Sequence, residues 1–98
     1  MDQATVEGRD DGLRVSGPLR FDTVPDLREP GIRLIRNGAR QVDLGRVDAA
    51  DSCALALLME WQRAAALLGY TLRFHAVPDQ IRELAALSEM DQVLDLQP

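Results

Sequence analysis

The segment QVDLGRVDAADSCALALLMEWQRAAALL, residues 41–68, organises the rest of the chain. Its first four residues are apolar at alternate positions, which predicts a buried strand. Residues 45–50 are predicted to form a loop, and a long helix is predicted to begin at Asp51 and Ser52. Because Ala and Leu dominate residues 52–68, which contain neither Pro nor Gly, the helix propensity of this region is high.

Two faces of the predicted helix are apolar. With about 100° of rotation per residue, the expected core face consists of Ala54, Leu57, Leu58, Trp61, Ala65 and Leu68. A second face, which we call the helix strip, is spaced i, i+3, i+4, i+7 and i+11 and consists of Ser52, Leu55, Ala56, Met59 and Arg63. Leu55 and Met59 are expected to be exposed in the isolated domain. Scattered exposed apolar residues are common, but a contiguous strip that starts at a helix end favours a partner-binding surface.

Polar residues surround the start of this helix. Asp51 or Ser52 is suited to accept a backbone N–H of the first turn, which by itself explains the pair. The positive end of the helix also favours an anion, so a bound phosphate, or phosphorylation of Ser52, is the functional alternative. Asp48 and Asp51 are expected to shape the preceding loop. A helix N-terminus can lower the pKa of a thiol such as Cys53, although a buried small residue is the more common role.

Composition and charge narrow the class of protein. The chain has 98 residues, 46% of them hydrophobic, which predicts a single domain with a packed core over residues 1–98. All eleven basic residues are arginine and the formal net charge is −5, so nucleic acid is not an expected partner. The single cysteine cannot form an internal disulfide, and no apolar run approaches about 18 residues. We therefore expect a cytoplasmic protein that does not itself insert into a membrane.

The first half of the chain reads as a hairpin followed by a helix. Strands at residues 5–7 and 13–19 are predicted on either side of an Asp-Gly turn. A helix is predicted to start near Thr23, which is a suitable capping residue. Pro30 and Gly31 are expected to interrupt this helix.

The second half continues the alternation of strand and helix. Gly69 is expected to end the long helix. Tyr70, Leu72 and Phe74 alternate with Thr71, Arg73 and the lone His75, which predicts another strand with His75 at its end. A last helix is predicted from Pro78 to about Leu87, followed by a short closing strand or a loosely packed end. The order β-β-α-β-α-β-α predicts an α/β fold, with a small mixed sheet of four to five strands covered by three to four helices.

No enzymatic motif is recognisable. Glycines do not cluster ahead of a Lys as in a phosphate-binding loop, and His75 has no Cys or His ligand at metal-binding spacing. Ser52, His75 and an Asp can be combined into a triad, but the pattern of a nucleophile elbow does not surround Ser52. We therefore expect a protein without catalytic activity, metal or cofactor.

The segment VDLGRVDAADSCALALL resembles the signature of STAS domains, which are named for sulfate transporters and anti-sigma factor antagonists. The resemblance rests on a strand ending in Asp-Leu, a linker with Val-Asp, and Asp-Ser followed by a helix of small residues and Leu. It extends to the entry hairpin, to Phe21-Asp22-Thr23-Val24, to Gly69-Tyr70-Thr71-Leu72 and to Val77-Pro78. It implies the STAS fold over nearly the whole chain.

Two branches of this family are similar to the chain. In anti-sigma factor antagonists, a partner kinase phosphorylates a Ser at this helix start. Ser52 matches that Ser, whereas Cys53-Ala54 replaces the usual small residue and Gly. The small cytoplasmic STAS subunit of the Mla phospholipid ABC transporter, the MlaB-like branch, is more similar at Asp51-Ser52, residues 54–58 and Glu60-Trp61. In that branch this region faces the ATPase subunit.

The closer resemblance implies a non-catalytic subunit. It would bind and support the ATPase of a phospholipid-trafficking ABC transporter that maintains outer-membrane lipid asymmetry, and it would lie in the cytoplasm, peripheral to the inner membrane through its partner. The partner-binding residues would be Ser52, Leu55, Ala56, Met59 and Arg63. The alternative is an anti-sigma factor antagonist regulated by phosphorylation of Ser52. Direct nucleotide binding at the helix N-terminus ranks third.

Overall fold

The computed structural model describes residues 3–98. Over these residues the chain forms five strands, three α-helices and one 3-10 turn. In chain order they are β1 (Thr5–Arg9), β2 (Gly12–Leu19), α1 (Val24–Arg36), β3 (Gln41–Ala50), α2 (Ser52–Leu67), β4 (Arg73–His75), α3 (Asp79–Leu87), the 3-10 turn (Met90–Gln92) and β5 (Asp95–Leu96).

The strands form one mixed sheet in the order β1-β2-β3-β4-β5. β1 and β2 are antiparallel, and the pairs from β2 to β5 are parallel. Each helix connects one parallel strand to the next, and the successive connections run in the same direction across the sheet. Because connections of this kind are right-handed, α1, α2 and α3 lie on the same face of the sheet. α1 packs on α2 and α2 packs on α3. The predicted mixed sheet covered by helices is confirmed.

Side chains alternate between the two faces of the sheet. On β2, Leu13 and Val15 are buried under the helices, whereas Arg14 and Ser16, which alternate with them, point to the opposite, partly exposed face. β3 repeats this pattern at its start. The core therefore lies between the sheet and the helices, as period-two alternation requires.

The region between β3 and α2 is strand rather than loop. Residues 45–50 were predicted to form a loop, but β3 continues to Ala50 and stays paired with β2. Two register shifts in this pair place extra residues on β3, and these bulges hide the alternation on which a strand prediction depends. Asp48 falls at the second shift and is exposed, so it belongs to a strand and not to a loop.

Helix α1 continues through Pro30 and Gly31, where an interruption was predicted. Gly31 is buried, and a Cβ placed on it would lie 2.2 Å from Cε2 of Trp61. A Pro inside a helix removes one backbone hydrogen bond and typically costs about 3 kcal/mol. Close packing of α1 on α2 around Trp61 offsets this cost, and that contact is tertiary and invisible in local sequence.

The remaining boundaries differ in smaller ways. Thr23 occupies the N-cap position of α1, but its hydroxyl makes no capping bond and instead donates to the Pro18 carbonyl at 2.7 Å. β4 covers only Arg73–His75, because Tyr70 turns towards α1 and donates its hydroxyl to the Ile35 carbonyl at 2.6 Å. The predicted closing strand is present as β5.

Helix α2 is held by the face that was expected to form the core. Ala54, Leu57, Leu58, Trp61 and Ala65 are all buried, with Trp61 completely inaccessible. Leu68 was expected on this face and is 53% exposed, because α2 ends at Leu67 and the chain turns away at Gly69. No helix between residues 3 and 98 combines the length and apolarity needed to cross a bilayer.

Candidate docking groove

An apolar groove lies between α2 and the segment formed by α3 and the 3-10 turn. Its volume is about 450 Å³. Residues of α2 form one wall, and residues near the end of α3 form the other. We call it the α2–α3 groove, and its lining residues are Ser52, Leu55, Ala56, Met59, Leu84, Leu87, Ser88 and Met90.

Four of the five residues of the predicted helix strip meet in this groove. Ser52 and Ala56 are exposed and Met59 is half-buried. Leu55 was expected to be exposed but is only 7% accessible. It lies one turn before the core residue Leu58 and close to α3, so it forms the floor of the groove rather than its rim.

Arg63, the fifth residue of the strip, lies outside the groove. It is exposed and lines a second, smaller cavity on the α1 side of α2, together with Arg28 and Glu60. At about 100° per residue, eleven residues return to within about 20° of the direction of Ser52, so Arg63 keeps the same face of α2. It lies about 16 Å further along the helix axis than Ser52, beyond Met59, the last groove residue of α2. Arg63, at the i+11 position of the helix strip, is therefore too far along α2 to line the α2–α3 groove.

The second wall of the groove was not identified as a site from sequence. Leu84 and Ser88 line the groove, and the buried residues of α3 are Ile81 and Ala85. Leu87 is 86% exposed and Met90 is half-buried. The periodicity argument that gave the helix strip on α2, applied to residues 79–90, would have identified this second wall from sequence.

Asp51 fixes the start of α2 at one end of the groove. It is the N-cap, as predicted, and its Oδ1 accepts the N–H of Cys53 at 2.8 Å. Its Oδ2 accepts the N–H of Phe21 at 3.1 Å, and its own N–H donates to the Leu19 carbonyl at 3.1 Å. One carboxylate therefore joins the β2–α1 connection to the first turn of α2 and leaves Ser52 exposed beside it.

Cys53 is not an activated thiol. Partial burial raises the pKa of the Cys53 thiol, and the nearby Asp51 carboxylate raises it further. Both effects disfavour the thiolate. The lowering considered from its position at a helix N-terminus is wrong, because the capping carboxylate supplies an opposing negative charge next to the sulfur.

His75 and Asp43 lie on the open face of the sheet, away from the groove. His75 ends β4, as predicted, and pairs in register with Asp43 on β3. Asp43 accepts the Gly45 N–H at 2.8 Å and the Arg14 Nε–H at 3.2 Å. Asp43 supports the pairing of β3 with β2. His75 lies beside Asp43 near the start of β3, whereas Ser52 follows the end of that strand, so the structure does not assemble the Ser–His–Asp trio considered from sequence.

Comparisons with known proteins agree with this architecture. A model of the family described as "Mlab, STAS domain" matches residues 3–97. None of the curated proteins compared with the chain matches it. A protein from Thermotoga maritima, described as an anti-sigma factor antagonist, superposes with a TM-score of 0.76 at 12% identity, over 97% of this chain and 86% of that chain. The anti-sigma factor antagonist SpoIIAA, in its unphosphorylated form, gives a TM-score of 0.71 at 16% identity, over 95% of this chain and 86% of that chain.

The two solved structures have low sequence identity and establish the fold alone. They confirm that the five-stranded mixed sheet with its three α-helices is the STAS fold. The family model adds the subgroup, because it spans nearly the entire sequence. The chain therefore belongs to the Mlab family of STAS domains.

Proposed function

We propose that this chain is a non-catalytic STAS subunit that binds the ATPase of a phospholipid-trafficking ABC transporter. It supports assembly or activity of that ATPase and so contributes to outer-membrane lipid asymmetry. It works in the cytoplasm, at the inner membrane, through this partner. The family description Mlab supports the choice of transporter, and the α2–α3 groove is the observation that carries the choice of a docking role.

The groove suits a protein partner better than a small substrate. Its lining is mostly Leu, Met and Ala, and its polar side chains are two hydroxyls at Ser52 and Ser88. A catalytic site needs acids, bases or nucleophiles placed around a reacting atom, and the groove lining contains no ionisable side chain. Exposed apolar surface beside a helix end is typical of a protein–protein interface.

A second candidate function is that of an anti-sigma factor antagonist switched by phosphorylation. The observation that favours it is the position of Ser52, which is exposed at the first residue of α2. A phosphate there would meet the positive end of the helix but also the Asp51 carboxylate. Ala54, which is fully buried, stands where these antagonists usually have Gly.

Co-purification tests the two functions against each other. The affinity-tagged chain and its Ser52→Ala variant are expressed at native level, and captured proteins and phosphoserine are identified by mass spectrometry. We expect the wild type, with unmodified Ser52, and the Ser52→Ala variant both to capture the transporter ATPase, the variant in somewhat lower yield because one hydroxyl of the groove is lost. Both should restore outer-membrane lipid asymmetry at least partly in a deletion strain. Capture of a kinase instead, together with phosphoserine at Ser52 and an inactive Ser52→Ala variant, would establish the second function.

A further inference from the structure

We infer that the α2–α3 groove holds an amphipathic helix of the partner, with an apolar face in the groove and basic residues along its flank. The inference rests on the proposed function for the identity of the partner, which is the ATPase subunit. It adds α3 and the 3-10 turn to the interface, and it specifies the chemistry of the segment that binds.

The shape of the groove matches one face of a helix. The α2 wall runs from Ser52 to Met59, which at 1.5 Å per residue is about 10 Å, or two helical turns. The opposite wall is supplied by Leu84, Leu87 and Met90, so apolar groups face the occupant from both sides. A helix lying between two helical walls presents apolar anchors at i, i+3, i+4 and i+7, which is a common mode of peptide recognition.

The charge around the groove selects a basic occupant. Residues 47–98 contain eight carboxylates and three arginines, so they carry the whole net charge of −5. Between residues 79 and 92 there are four carboxylates and one arginine. Glu89 is exposed and lies between the lining residues Ser88 and Met90 in sequence, whereas Glu83 and Asp91 line a neighbouring cavity together with Asp79 and Arg82. Carboxylates at the rim of an interface attract a basic partner and repel an acidic one.

The same charge disfavours the other classes of occupant. A second copy of the chain would bring another acidic C-terminal half against the first, which is a repulsive arrangement. The cytoplasmic leaflet of a membrane carries a negative surface potential and attracts basic rather than acidic surfaces. A partner helix with Lys or Arg beside its apolar face satisfies both the lining and the rim.

Peptide binding tests the inference directly. The probes are two fluorescein-labelled model helices with the same Leu face, one with Lys and the other with Glu on the polar face, and binding is measured by fluorescence anisotropy. The groove variant is Leu87→Ser, and the matched control is Leu67→Ser at a site that is 83% exposed and outside the groove. We expect the Lys peptide to bind and the Glu peptide to fail. Leu87→Ser should weaken binding about tenfold, since burial of a Leu contributes that much or more, and the control should change nothing.

The rim is tested by Glu89→Gln, which should reduce the salt dependence of Lys-peptide binding more than the control Glu83→Gln in the neighbouring cavity. Equal binding of the two peptides, or equal affinities of the Leu87→Ser and Leu67→Ser variants, would overturn the inference.

The same variants are then used with the purified ATPase. If the ATPase binds and Leu87→Ser has no effect, the groove inference is wrong and the proposed function stands. If the Lys peptide binds as expected but the ATPase does not, the groove inference stands and the proposed function is wrong.

Discussion

The Asp43 carboxylate holds the irregular part of β3 in place. The Gly45 N–H that it accepts is the main reason why the pKa of Asp43 lies below its ordinary value, and Arg14 and Arg46 lower it further, against the opposing effect of partial burial. The Gly45 bond lies within the first register shift between β2 and β3. An ionised Asp43 therefore supports the bulge that carries β3 towards α2.

This arrangement predicts a pH dependence of stability. Because the folded pKa is below the unfolded pKa, ionisation of Asp43 stabilises the fold above the ordinary Asp pKa of about 3.9, and this contribution is lost as the pH falls through the folded pKa. Urea unfolding of the wild type and Asp43→Asn should show a more stable wild type from about pH 5 to 7 and a smaller gap below about pH 4. A gap that is independent of pH, or that widens on acidification, would show that this charge does not stabilise β3.

The role of a single residue could be predicted from the sequence where it depends on neighbours along the chain. It could not be predicted where it depends on residues of another strand. The capping role of Asp51 follows from its place directly before a helix, and the structure confirms it. The role of Asp43 depends on Arg14, which lies 29 residues earlier, and on a register shift between strands. Neither can be read from local sequence.

Helices α1 and α2 meet at a contact between Gly31 and Trp61. The Trp61 ring lies where a Gly31 side chain would be, and its Nε1–H donates to the Arg28 carbonyl at 3.1 Å. The Arg28 side chain pairs with Glu60 across the same two helices. This contact fixes the position of α2, and therefore of the groove wall, relative to the sheet.

Gly31→Ala should destabilise the protein, although the same change inside a helix usually stabilises it by about 0.5–1 kcal/mol. The new Cβ would overlap the Trp61 ring, and overpacking of this kind costs about 1–3 kcal/mol. The free energy of unfolding in urea measures the effect. In the Trp61→Phe background, where the ring is smaller, the cost of Gly31→Ala should be reduced. An unchanged or increased stability of the Gly31→Ala variant would mean that the helices do not approach so closely.

The success of the sequence predictions varied among elements. α2 and α3 begin where their caps predict, because Asp51 and Pro78 mark helix starts locally. The predicted break at Pro30 is wrong because packing on Trp61 overrides a local preference. The predicted loop at residues 45–50 is wrong because bulges disguise a strand whose pairing is set by β2.

At the scale of the whole molecule, the two halves of the chain differ in net charge. Residues 1–46 contain eight carboxylates and eight arginines, whereas the second half carries the net charge of −5 and both walls of the α2–α3 groove. One wall of the groove was predictable as the helix strip, from the spacing of Ser52, Leu55, Ala56 and Met59. The other wall was not, because only the packing of α3 on α2 brings Leu87 and Met90 to the same place.

Calorimetric titration of the purified ATPase with the wild type, Met59→Glu and Leu67→Glu tests most directly whether the groove is the docking surface. Met59 is half-buried in the groove, so a carboxylate there would be desolvated on docking, whereas Leu67 is 83% exposed elsewhere on α2. All three proteins should give folded circular dichroism spectra. We expect Met59→Glu to weaken ATPase binding at least about tenfold, the loss that follows from one buried Met side chain, and Leu67→Glu to bind like the wild type. A folded Met59→Glu variant with wild-type affinity would contradict the account.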